Sequence, residues 1–168
     1  GCAPSEPQPT LPNGLVLALA VLERGPQGPV PQPARLGILT QQDGSWVYRS
    51  IEDPDSNVFH KAMVYDPPGG EPALLTAAGT RAILKLWRPG QKPEVVWEKD
   101  FGGKFSRMRD IEVADVYGDG SAAIAVVTHD QGVVAVVRPD GAGGWTVEEL
   151  DGRPDTFVHE VEIGDLDG

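Results

Sequence analysis

Three aspartates recur at one period along this chain: Asp66, Asp115 and Asp165, spaced by 49 and 50 residues. Six residues before them stand His60, Arg109 and His159. Five before stand Lys61, Asp110 and Glu160, and three before stand Met63, Glu112 and Glu162. Imidazole, guanidinium and carboxylate groups gathered at one place can bind a polar ligand or a metal ion. The same groups can instead tie neighbouring structural units together by hydrogen bonds and salt bridges, which is their commoner use. The third histidine, His129, lies in the turn His129-Asp130-Gln131-Gly132, where a solvated side chain is expected.

Covalent and phosphoryl chemistry find no template. The sequence contains no G-x-S-x-G, no H-E-x-x-H and no Walker A motif, each of which places a nucleophile, a metal or a phosphate in a defined turn. Gly102-Gly103-Lys104-Phe105-Ser106 lacks the leading glycine of a phosphate loop. Cys2 is the only cysteine among 168 residues, so no internal disulfide forms. The net charge of −11 sets up a field that repels nucleic acid and anionic membrane surfaces. No basic patch with interleaved aromatics offsets it, so no nucleic-acid partner is expected. The longest apolar run, Leu15 to Leu22, is far too short to span a bilayer as a helix.

The elements that position these residues follow from the repeat. Trp46, Trp97 and Trp145 are 51 and 48 residues apart, Arg88-Pro89 returns as Arg138-Pro139 after 50, and Pro54-Asp55 returns as Pro154-Asp155 after 100. Independent markers in one register define a unit of about 50 residues. Within a unit, short runs such as Pro93 to Glu98, Arg109 to Ala114, Ala122 to Thr128 and Val133 to Val137 are β-rich and bounded by Gly, Pro and Asp. Runs of this length and composition are strands, the most apolar of them buried on both faces. No stretch keeps a helical period with caps. Hydrophobic content of 40% argues for a folded core, while Gly 21 and Pro 16 argue against helices.

Four strands cannot bury both faces alone, but they can when stacked radially between copies of themselves. The expected fold is therefore all-β, a β-propeller fragment of about three four-stranded blades. The chain divides into a Pro-rich tether over 1–13 and a propeller portion over 14–168. The latter comprises a partial blade at 14–44, repeats at about 45–92 and 93–141, and an incomplete one at 142–168. In the partial blade, Leu15 to Val21 and Ala34 to Thr40 match the third and fourth strands of the unit, around an insertion at Gly25–Pro33. The last unit stops inside a loop that the previous one completes, so further blades are expected. In such a fold His60, Arg109, His159, Glu112 and Glu162 would face the mouth of a central channel, where a ligand can bind. The tryptophans would pack between blades.

Ala114-Asp115-Val116-Tyr117-Gly118-Asp119-Gly120 and Gly164-Asp165-Leu166-Asp167-Gly168 resemble the D-x-D-G-D-G loops of the FG-GAP/VCBS repeat family. That resemblance, covering at least residues 34 to 168, implies a propeller in a secreted or cell-surface bacterial protein. It also implies calcium in the loop after the innermost strand, held here by Asp115, Asp119, Asp165 and Asp167. Calcium takes six to eight oxygens, and carboxylates at alternate positions of a tight turn converge on one point. Tyr117 stands where the pattern has a middle acid, and Ala123 where it has a later ligand. If no ion is bound, these aspartates simply hydrogen-bond their own turns.

Gly1-Cys2, followed by a proline-rich segment, resembles the processed start of a bacterial lipoprotein, with Cys2 as the lipid attachment. The expected function is a surface-anchored or secreted propeller scaffold that binds a protein or glycan without catalysis. Its only membrane contact would be through the lipid. The alternative is a carbohydrate-active enzyme similar to propeller-type polysaccharide lyases, its catalytic cluster completed by further blades.

Overall fold

The computed structural model describes residues 13–67, 69–79, 81–102 and 106–165. Cys2 with the tether through residue 12, and Asp167, lie outside the described residues. The fold is all-β. Among the described residues, thirteen strands form four antiparallel sheets.

Two sheets are four-stranded meanders. One runs β6 (Phe59–Tyr65), β7 (Ala73–Ala78), β8 (Ala82–Trp87) and β9 (Glu94–Lys99). The other runs β10 (Met108–Ala114), β11 (Ala123–Thr128), β12 (Val134–Pro139) and β13 (Trp145–Asp151). A three-stranded sheet precedes them in the order β1 (Gly14–Leu19), β4 (Ala34–Gln42) and β5 (Ser45–Asp53). The Trp-bearing strands β5, β9 and β13 each close the sheet that precedes them. The sheets therefore run out of phase with the expected boundaries at 44, 92 and 141, which placed those tryptophans at the start of a unit. By the same alignment β1 and β4 correspond to β7 and β8, as the sequence suggested.

The middle sheet shows why its strands read as continuous apolar runs. Along β7 and β8, Ala73, Leu75, Ala77, Ala82, Leu84 and Leu86 turn to one side, where they pack with Met108, Ile111, Ile124, Val126 and Val137 of the next sheet. Leu74, Ala78, Ile83 and Trp87 turn to the other side, against Ala34 and Leu36 of β4. A sheet covered on both faces needs apolar residues at successive positions rather than alternate ones.

Three features go beyond the sequence reading or against it. The insertion at Gly25–Pro33 is largely structured: β2 (Leu22–Gly25) and β3 (Gly28–Pro31) pair as a separate hairpin. The alternating segment from Phe157 to Asp165 forms no ladder among the described residues, because alternation makes a strand only where a partner offers its amides and carbonyls. The tryptophans do not share one role. Trp87 is buried, and Trp97 and Trp145 pack half-buried against the larger core, but Trp46 is 54% exposed.

Candidate functional site

The site begins with two breaks in strand register. In β6, Phe59 pairs with Ala78 and Lys61 with Ala77, so His60 is an extra residue. In β10, Met108 pairs with Thr128 and Asp110 with Val127, so Arg109 is an extra residue. A bulge of this kind bends the strand and re-aims a side chain. Both re-aimed side chains meet: Arg109 Nη1 lies 2.9 Å from His60 Nδ1. A guanidinium can only donate, so Nδ1 accepts and the neutral imidazole carries its proton on Nε2. That Nε2 is buried without a hydrogen-bond partner, as is Arg109 Nε.

Gly79 makes room for the ring. A Cβ there would stand 2.7 Å from His60 Nε2 and 2.3 Å from Val58 Cγ1. Any side chain at Gly79 would displace the histidine or the backbone that holds it.

Beside this pair lies a second group. Arg107 Nε donates to Asp130 Oδ2 at 2.8 Å, and Arg107 Nη2 to Asp130 Oδ1 at 3.2 Å. His129 Nδ1 is 3.2 Å from both Arg107 Nη2 and Asp130 Oδ1. The His129 ring lies 5.0 Å from Phe157 at a tilt of 44° and meets His159 edge-on at 5.0 Å. His129 is therefore a half-buried member of the cluster, not the solvated turn residue that its sequence context suggests. The hairpin signal was correct. What it could not contain is the chain segment that folds back over it.

The remaining expected residues divide the same way. Lys61 bridges to Asp110 at 3.0 Å and closely to Glu112, and Val161 N donates to Asp110 Oδ2 at 3.0 Å. Equivalent positions of successive repeats thus contact one another, and Glu112 serves the salt bridge. Glu162 and Asp165 are exposed.

In the second loop Asp115 closes its own turn. Its carboxylate accepts from Asp119 N at 3.0 Å and Gly120 N at 2.7 Å, and Asp119 accepts from Ser121 N at 2.9 Å. Gly118 and Gly120 sit at φ of 68° and 83°, a region that only glycine enters freely. Tyr117 turns out of the loop to donate to Glu148 at 2.7 Å. Hard carboxylate oxygens suit calcium in kind. Asp115 and Asp119 alone fall short in number, and among the described residues no three acidic, histidine or cysteine side chains converge on an ion.

The electrostatics of His60 yield a prediction. Burial, then the positive charges of Arg109, Arg107 and His129, push its pKa from 6.5 down to about 4, with Asp130 opposing. The folded state then binds fewer protons than the unfolded chain between these values. Stability therefore rises from pH 4 to 6.5 and is lost on acidification through that window. Because the ring is partly exposed, the expected loss is roughly 1–2 kcal/mol rather than the full value of about 3. Urea unfolding at pH 7 and 4.5 should show this loss in the native protein and a smaller one in His60→Gln. Equal losses in both proteins would assign the acid sensitivity elsewhere.

No family model, curated protein or solved structure matches the chain.

Proposed function

We propose that the chain is part of a β-propeller, tethered to or secreted from a bacterial cell, that binds a protein or glycan ligand without catalysis. The reading rests on the contact between His60 and Arg109, equivalent bulge residues of successive repeats. Stacked sheets that bring equivalent positions together at their first strands assemble a composite surface from repeated parts, as radial repetition does. The three-stranded sheet supports the same arrangement. It has no counterpart of β6 or β10 among the described residues, and the apolar side chains Leu15 and Leu17 of its β1 are 54% and 38% exposed.

Expressed from its complete reading frame in a bacterium, the protein should partition into detergent, and Cys2→Ser should release it. Retention of both forms in the aqueous phase would remove the anchor from the proposal. On arrays of glycans and surface proteins the protein should bind a ligand saturably and leave it intact. Cleavage of a bound polysaccharide would overturn the non-catalytic reading. Calcium belongs to the same proposal, held by Asp115 and Asp119 in one loop and by Asp165 and Asp167 in the next. An ion bound only by the folded state adds about 2.7 kcal/mol at a hundredfold excess over its dissociation constant. Melting temperature should rise in millimolar calcium relative to chelator, less so in Asp165→Ala. Asp115→Ala should lose stability in both media. Superimposable native curves would leave the aspartates as turn formers.

A further inference from the structure

We propose that His60, Arg109, Arg107, His129 and His159 form a binding site for an oxyanion, the carboxylate or phosphate group of a ligand. The inference rests on the binding reading above and names the chemical class that this surface takes. All three histidines of the chain come from separate segments: β6, the β11–β12 turn, and the segment after β13. Two guanidiniums join them. The carboxylate in direct contact with the group is Asp130, already bound to Arg107. The adjacent Lys61 bridges both Asp110 and Glu112, leaving that trio with one net negative charge, and Asp110 also takes the Val161 amide.

A surplus of donors at one spot is unusual on a chain of net charge −11. Within the immediate group, two guanidiniums face the one carboxylate of Asp130, a local excess of one positive charge. The donors are also incompletely satisfied. Nε2 of His60 and Nε of Arg109 are buried and unpartnered, whereas buried polar atoms ordinarily find partners. Charge-assisted bonds from arginine are the strong means of holding a planar carboxylate or a phosphate. A cation is disfavoured by the two guanidiniums. The bulges argue that the arrangement is built: β6 and β10 each insert one residue, and that residue is the one delivered to the cluster.

The test uses the imidazole signals of the full chain in NMR, titrated at constant ionic strength with inorganic phosphate, with glucuronate, and with methyl glucoside as the neutral control. Saturable shifts of His60, His129 and His159 with at least one anion, and none with the neutral sugar, are expected. A response to phosphate alone or to glucuronate alone identifies the oxyanion. Arg109→Gln should weaken the affinity about tenfold or more, and Arg109→Lys should recover part of it. Retained His129 and Phe157 signals show that either variant is folded. No saturable shift with either anion, or equal affinity in Arg109→Gln, overturns the inference. A ligand found on the arrays that binds Arg109→Gln undiminished would overturn it too, while leaving the binding scaffold in place.

Discussion

Lys85→Met is expected to lower the free energy of unfolding by about 3–5 kcal/mol, because it leaves a carboxylate buried without its counter-charge. Lys85 sits in the middle of β8 with its side chain 3% exposed, and its ammonium donates to Asp53 at 2.8 Å and to Asp55 at 2.6 Å. Asp53 ends β5 in the neighbouring sheet, with its side chain 1% exposed. Its Oδ1 also accepts from the Asp55 amide at 3.1 Å, whereas its Oδ2 has no partner. The pair clamps two sheets together, and its two charges are nearly dry. Removing one charge strands the other, whereas replacing both with apolar groups strands neither. Lys85→Met/Asp53→Leu should therefore recover most of the loss. Asp55 is half exposed, so Asp55→Ala should cost less than about 1 kcal/mol. Urea midpoints at unchanged slope would measure all three. A single Lys85→Met loss under about 1 kcal/mol would mean that the buried pair contributes nothing net.

Leu84→Ala is expected to cost about 2–5 kcal/mol, or a fall of very roughly 5–15 °C in melting temperature for a chain of this size. Leu84 is fully buried on the face of β8 that meets β10 to β13. Its own sheet is backed by β4 through Ile83 and Trp87. Layers on both sides restrain collapse into the space left behind, so the cavity term adds to the lost transfer free energy. Val95→Ala on the neighbouring strand β9, at 49% exposure, should stay within about 0.5 kcal/mol. A Leu84→Ala effect as small as that of Val95→Ala would show that the two sheets are not packed as described.

Lys85 marks the boundary between what sequence and structure each reveal. In the run Ala82-Ile83-Leu84-Lys85-Leu86-Trp87, composition shows a buried strand and a lysine that breaks it. Nothing in the spacing points to Asp53, thirty-two residues earlier, as the group that makes its burial tolerable. His129 is similar. A turn is a local object and was legible, but its ring environment depends on Phe157 and His159 arriving from a later segment.

The all-β class, the unit of about 50 residues, the four short strands in each complete sheet and the turn-forming aspartates are legible in the residues alone. These depend on side-chain alternation, β-branched runs and Gly, Pro and Asp at turns, all read within a few residues. Tertiary structure decided the bulges at His60 and Arg109, the ion pair at Lys85, the hairpin inside the insertion, and the failure of Phe157 to Asp165 to become a strand. Each of these depends on which backbone lies opposite. Register is a property of two strands and salt-bridge energy a property of two charges, and neither is written in one segment alone.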